Sequence, residues 1–262
     1  MKESRSTWEE TRDQYHAETH RILEQASQRG ITLRLLGSQA IREHCPKCGY
    51  LLDEMKREYV DLDFVGLGKD RRELKALIAE MGYEIDREML VVAEGSRYLF
   101  NRRADGLVAD IFIDELDFCH RIDLKDRLSL DYPTIPLADL LLSKLQIVDI
   151  ADKDMKDIAV LLLEHELVEE DEKEGINAGY ISDLLARDWG FYYTVQSNIK
   201  KLSTFLNSVP SCVNTSALSN RIAKLYARIE SAPKTFMWKV RSKLGTRILW
   251  YKPVSRREHT FK

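Results

Sequence analysis

The chain has 262 residues, 44% hydrophobic and 32% charged, with a formal net charge of −3. That is enough apolar material for one larger or two smaller folded domains. It contains no apolar run of membrane-spanning length, its four cysteines make no secreted disulfide framework, and its polar start "MKESRSTWEE" is no secretory signal, so a reduced cytoplasmic setting is expected.

Thr7 followed by Glu10 predicts a capped helix over 8–29, stopped by Gly30. "ITLRLL" (31–36) predicts a strand that runs into Gly37–Ser38, and a short helix "QAIREH" then ends before Pro46. "YVDLDFVGL" (59–67) predicts a second strand. Asp70 and Glu73 cap a helix with Leu74, Leu77, Ile78 and Met81 on one face. "MLVVAE" (89–94) and "RYLFNR" (97–102) predict strands about a Glu94–Gly95–Ser96 turn, and "LVADIFID" (107–114) predicts another. After Pro136 the pattern turns helical, over 137–150, 155–167, 180–206 and 217–230, with an acidic break at 168–175. The expected plan is mixed α/β (α+β): an N-terminal helix (1–29), a sheet core (30–132), a helical domain (133–232) and a basic tail (233–262). From Lys234 to Lys262 the tail has nine Lys/Arg and one acid, which leaves −11 on the preceding residues.

Side chains alternate along a strand, so Asp61 and Asp63 share one face of "VDLDF". Two carboxylates about 6.5–7 Å apart on the backbone repel by about 2.4 kcal/mol at an effective dielectric near 20. Either that face is open to water or a partner such as a divalent cation offsets the cost. Gly37–Ser38 at a helix N-terminus offers backbone N–H groups and a hydroxyl to a phosphate. Asp110 adds a third carboxylate on an otherwise apolar strand. Three strand carboxylates beside a phosphate seat suit two-magnesium nucleotidyl transfer.

Together these residues resemble the nucleotidyltransferase superfamily with the polymerase-β-like catalytic core, most closely the bacterial branch that includes AbiEii-type toxins of toxin–antitoxin systems. "LRLLGSQAI", "REYVDLDFV" and "VADIFID" are similar to that family's phosphate-binding turn, paired acids and third acid. "IPLADLLLSKLQIV", "DKDMKDIAVLL" and "DWGFYYTVQSNIKKL" extend the resemblance over about residues 30–206. The chain departs from the pattern at Ser38, where many members carry glycine, at Tyr59, where Ser or Thr is frequent, and in a longer gap from Ser38 to Asp61.

The resemblance implies transfer of a nucleoside monophosphate from an NTP to an acceptor, with Mg²⁺ or Mn²⁺. It assigns Asp61, Asp63 and Asp110 to the metals, with Asp110 as third ligand or base. It assigns Gly37, Ser38, Arg57 and Lys144 to the nucleotide, and Asp154 or Asp157 as a further contributor. The acceptors it implies are a tRNA 3′ end first and a protein hydroxyl second, with an antitoxin protein as partner. The alternatives are a small-molecule transferase of the antibiotic-modifying kind, or an RNA- or protein-binding module that keeps the fold without chemistry.

Three features have plainer readings beside these. Lys144 interrupts the apolar face of Leu137, Leu140, Leu141 and Val148, so it snorkels, pairs internally or meets the triphosphate. Asp154 and Asp157 also suit a helix cap and its first turn. Cys45–x–x–Cys48 is half of a zinc knuckle that His44, Cys119 or His120 would complete, or else a pair of ordinary thiols. In the tail, Phe236, Trp238, Trp250 and Tyr251 lie among cations. That pattern suits RNA, a membrane surface, or a helix docked through its aromatics.

Overall fold

The computed structural model describes residues 7–58 and 61–254; the side chains of the Thr7–Glu10 box, Tyr59, and residues 255–262 of the basic tail lie outside the described residues. The first half of the chain runs α1 (Thr7–Gln28), β1 (Leu33–Leu35), α2 (Gly37–His44), α3 (Tyr50–Glu54), β2 (Leu62–Gly66), α4 (Arg71–Glu80), β3 (Glu84–Ile85), α5 (Arg87–Val92), β4 (Arg97–Asn101) and β5 (Val108–Ile113). A hairpin of β6 (Glu115–Asp117) and β7 (Arg121–Asp123) leads to α6 (Leu137–Leu145) and α7 (Asp152–Glu164). Then come β8 (Glu166–Val168), β9 (Gly175–Asn177), α8 (Ala178–Leu185), α9 (Trp189–Phe205), α10 (Thr215–Ser231) and α11 (Phe236–Leu244). The fold is thus mixed α/β, with a helical C-terminal half. No helix among the described residues is long and apolar enough to cross a membrane.

The main sheet has the order β1-β2-β5-β4-β3. β2 and β5 are parallel with Leu62 opposite Ala109, Asp63 opposite Asp110 and Phe64 opposite Ile111; β1 and β4 flank them antiparallel. Alternation along this register separates two surfaces. Leu62, Phe64, Ala109 and Ile111 bury one face completely, and Asp63 and Asp110 begin the other. A single apolar cluster continues from these strands into Leu140, Leu141, Ile158 and Leu161 of α6 and α7 and on to Leu225 of α10. The helical half is therefore packed on the sheet half through one core.

Several elements differ from the sequence expectation. Residues 89–92 belong to helix α5 and 93–94 to the turn after it, because Asp86 accepts the Met89 N–H and caps the helix, leaving Val91 and Val92 exposed. The β-branched run carried a strand signal, but a cap satisfied locally outweighs it where no neighbour covers the side chains. Asp70 does not cap α4 with its side chain; its Oδ2 accepts the Thr32 N–H at 2.9 Å. The helix expected over 180–206 breaks in two, since Asp188 accepts the Phe191 N–H and starts α9 afresh. The first apolar helix stops at Leu145 rather than 150, and the acidic 168–175 stretch ends in the short parallel strands β8 and β9, with 169–174 between them.

Candidate active site

The three aspartates meet where β2 and β5 open beneath the N-terminus of α2. Register pairing puts Asp63 and Asp110 side by side, with strand axes about 4.8 Å apart. Asp61, two residues before Asp63, lies just ahead of β2. They line a cavity of about 500 Å³ with Gly37, Arg97, Phe112, Phe118, Ser143 and Lys144. Burial, and then the charges of Asp110 and Asp61, push the Asp63 carboxyl up to about 7. Lys144 and Arg97 oppose that rise.

Gly37 makes the close approach of Asp63 tolerable. Its φ is +71°, and a Cβ there would lie 2.1 Å from Asp63 Oδ2. The strand reaches this turn by two backbone bonds, Leu36 N–H to the Asp63 carbonyl and Leu35 N–H to the Pro133 carbonyl, both 2.9 Å. α2 starts immediately, with no side-chain cap from Leu36. The first-turn N–H groups are thus presented beside the carboxylates, as a phosphate seat requires. Ser38 is buried in that turn and does not line the cavity.

Arg97, at the start of β4, was missed in the sequence. Its guanidinium grips Asp110, with Nε 2.8 Å from Oδ1 and Nη2 on Oδ2. It lies 4.9 Å from the Phe112 ring and 5.8 Å from the Phe118 ring, so two aromatic faces hold it over the cavity. The antiparallel register sets Arg97 opposite Phe112 and Leu99 opposite Asp110, which puts arginine and aspartate on one face. Nothing local to "RYLFNR" reveals that pairing.

Lys144 reaches the cavity from α6 and is held from behind. Its Nζ donates to Asp154 Oδ1 at 3.0 Å and lies 2.9 Å from Asp157 Oδ2. Arg57 forks onto the same Asp157, Nε to Oδ1 and Nη2 to Oδ2, each at 2.9 Å. Burial alone would lower the Lys144 pKa, yet Asp157 and Asp154 hold it above the ordinary lysine value. Burial likewise would raise Asp157, and Lys144 and Arg57 keep it below the carboxylate range. The four side chains form a buried network with two charges of each sign. Of the four, only Lys144 lines the cavity; Arg57, Asp154 and Asp157 stand behind it. Asp154 sits in the first turn of α7, whose N-cap is Ala151.

The tail returns to close one side. The Lys252 N–H donates to the Cys119 carbonyl at 3.0 Å, and its Nζ lies 2.6 Å from Asp117 Oδ2. Trp250 Nε1 donates to Thr194 Oγ1 at 3.1 Å. The Trp250 carbonyl sits so near Gly190 that a Cβ there would be 2.4 Å away. Tyr251, Pro253 and Val254 thereby line the cavity opposite the aspartates.

The cysteines are arranged otherwise. Cys45 is buried with Sγ 3.8 Å from His165 Nε2, and burial raises its thiol pKa. Cys48 is raised to about 11, by burial and then by Glu164, which also accepts its N–H at 2.6 Å. Cys119 lines the aspartate cavity, His120 stacks on Phe191 at 4.7 Å, and His44 contacts Glu174 and Thr134. Among the described residues, no set of three metal-ligating atoms lying within 4.8 Å of one another includes a cysteine.

The aspartate cavity itself suits a hard divalent cation. Its donors there are carboxylate oxygens, which Mg²⁺ and Mn²⁺ prefer. The mutual repulsion that raises Asp63 is a cost such an ion would offset.

No family model matches the chain, and no curated protein matches it. Among solved structures it is similar to the antibiotic-resistance factor ANT(2'')-Ia in solution, with 16% identity and a TM-score of 0.38 over 55% of this chain and 80% of that one.

Proposed function

We propose that the protein is a divalent-metal-dependent nucleotidyltransferase that moves a nucleoside monophosphate from an NTP to an acceptor hydroxyl. The observation that carries this reading is the register pairing of Asp63 with Asp110 beneath Gly37, with Asp61 and Lys144 at the same cavity. Asp61, Asp63 and Asp110 would hold the metal, and the α2 N-terminus at Gly37 would receive the triphosphate, Ser38 being buried in the same turn outside the cavity. Bound divalent ions supply charge neutralisation on the triphosphate and activation of the attacking oxygen. In the transfer, the acceptor oxygen bonds to the α-phosphorus, the bond to the departing pyrophosphate breaks, and a carboxylate takes the hydroxyl proton. Asp110 is the candidate base once Arg97 moves from it onto a phosphate oxygen. Lys144, fixed by Asp154 and Asp157, adds positive charge where negative charge develops.

For the acceptor, we infer an RNA 3′ end, as in a toxin that modifies tRNA and is countered by an antitoxin. Lys234, Lys239, Arg241, Lys243 and Arg247 precede the cavity wall with no acid between them, a run that favours a phosphate backbone. A second reading, a small-molecule acceptor, is favoured by Pro253 and Val254, which narrow the cavity to a volume usual for small ligands.

The test is incubation of the full chain with each α-labelled NTP, Mg²⁺ or Mn²⁺, and either total tRNA, protein or a panel of hydroxylated small molecules. The Asp61→Ala/Asp63→Ala double variant is the control. Label on RNA in the wild type alone supports the first acceptor, and label on a small molecule supports the second. Intact NTP in every arm, together with no Mn²⁺-dependent nucleotide binding, would remove the transferase reading.

A further inference from the structure

Away from the aspartate cavity, α1 and α2 bring two histidines and a glutamate together. His16 and His20 are one helical turn apart on α1, so their rings share a face, with centroids 4.4 Å apart. Glu43, next to last in α2, points one carboxylate oxygen at both. Its Oε2 lies 3.7 Å from His16 Nε2 and 3.3 Å from His20 Nε2. One ligand atom from each of the three lies within 4.8 Å of the other two.

The two glutamate–histidine spacings are close to the edges of a coordination tetrahedron. An ion with bonds of about 2.0–2.2 Å holds neighbouring donors roughly 3.3–3.6 Å apart. Two imidazoles and one carboxylate, with a fourth position left to water, are the donor set of open zinc sites. The nearby guanidinium of Arg42 turns instead to Asp53, at 2.7 and 3.0 Å.

We propose that His16, His20 and Glu43 form a binding site for a zinc-class divalent ion that clamps α1 to α2. It differs in chemistry from the aspartate cavity, because imidazole nitrogen selects zinc, cobalt or nickel over magnesium. Glu43 sits at the end of α2 opposite Gly37, about 9 Å along the helix axis. An ion there would therefore brace the helix whose other end forms the candidate phosphate seat.

The test uses tag-free, metal-stripped full-length protein, titrated with Zn²⁺ in excess Mg²⁺ by calorimetry, with Co²⁺ absorption as a geometric probe. Expected are one saturable Zn²⁺ site, a tetrahedral Co²⁺ spectrum and a higher unfolding temperature. Loss of one ligand's orienting partner alone commonly weakens a site 10–100-fold, so His16→Ala/His20→Ala should lose at least about 100-fold in affinity. Glu43→Gln should weaken binding in the same direction, and Asp61→Asn/Asp63→Asn should retain it. No saturable Zn²⁺ binding in the wild type overturns the proposal. So does binding that survives in a folded His16→Ala/His20→Ala variant, or that is lost instead on Cys45→Ser.

Discussion

Gly37 and Asp63 are matched so closely that a methyl group at 37 would lie 2.1 Å from Asp63 Oδ2. Gly37→Ala therefore faces two penalties: a left-handed backbone, costing about 1–2 kcal/mol, and a collision with a carboxylate fixed on a central strand. Relief comes only by moving Asp63 or the α2 N-terminus. The expected outcome is a folded protein whose Mn²⁺ and nucleotide binding fall together by at least ~10-fold, a loss of about 1.4 kcal/mol. Binding titrations alongside circular dichroism check this. Unchanged binding of both would show that the turn and Asp63 do not act as one site.

The Arg97–Asp110 pair makes a prediction of the opposite sign. A metal that uses Asp110 must displace a two-pronged, charge-assisted contact. Such hydrogen bonds contribute about 1.5–3 kcal/mol, so Arg97→Ala should raise Mn²⁺ affinity by about 10-fold or more at pH 8. Nucleotide affinity should fall in the same variant, if Arg97 swings to a phosphate. Mn²⁺ titration by electron paramagnetic resonance reads the first effect. A weaker Mn²⁺ site would mean that Arg97 supports Asp110 instead of competing for it.

Lys144 and Asp157 are buried with Arg57 and Asp154, and truncating one member strands the charge of another. Lys144→Met and Asp157→Asn should each destabilise the fold by about 3–5 kcal/mol. Urea unfolding measures that directly. Lys144→Arg keeps the charge but not the shape of a compact ammonium. It should therefore recover part of the stability while nucleotide affinity stays reduced, which separates the structural part of the lysine's role from the one at the cavity.

How far the site was legible follows from which contacts are local. Asp61 and Asp63 stand out because alternation alone puts them on one face, and Asp110 because it interrupts an apolar run. Gly37–Ser38 is legible because strand, small pair and helix are consecutive. Arg97 was not, since its meaning depends on the β4–β5 register, a pairing of segments 13 residues apart between its members. The cavity wall at Tyr251, Pro253 and Val254 was less legible still. It depends on Gly190 admitting the Trp250 carbonyl, sixty residues before it in the chain. Lys144 advertised an anion by breaking an apolar face, but periodicity could not choose between an internal carboxylate and a phosphate. The strand expected at 89–94 failed because Val91 and Val92 carry β-propensity without any surface to bury it.

The same docking of the tail makes the fold sensitive to acid at one histidine. His120 is stacked on Phe191, and its Nε2 lies 2.9 Å from Thr194 Oγ1, the atom that accepts the Trp250 indole N–H. With that indole bond in place, the Thr194 hydroxyl can donate its proton onto Nε2, which keeps the imidazole neutral. Burial pushes the His120 pKa down to about 4, with Asp188 only partly opposing. The unfolded chain, with an ordinary histidine near 6.5, then binds the extra proton first. Stability from this group is thus complete above about pH 6.5 and drains away as the pH falls towards 4. His120→Gln, which can still meet Thr194 but cannot titrate, should flatten the decline in urea midpoint between pH 7 and 4.5. Trp250 fluorescence of the folded protein should change only as the pH nears 4, where protonating Nε2 removes the acceptor that orients Thr194. If the midpoint of the wild type declines no faster than that of His120→Gln over this range, His120 is not the group that couples acid to the docked tail.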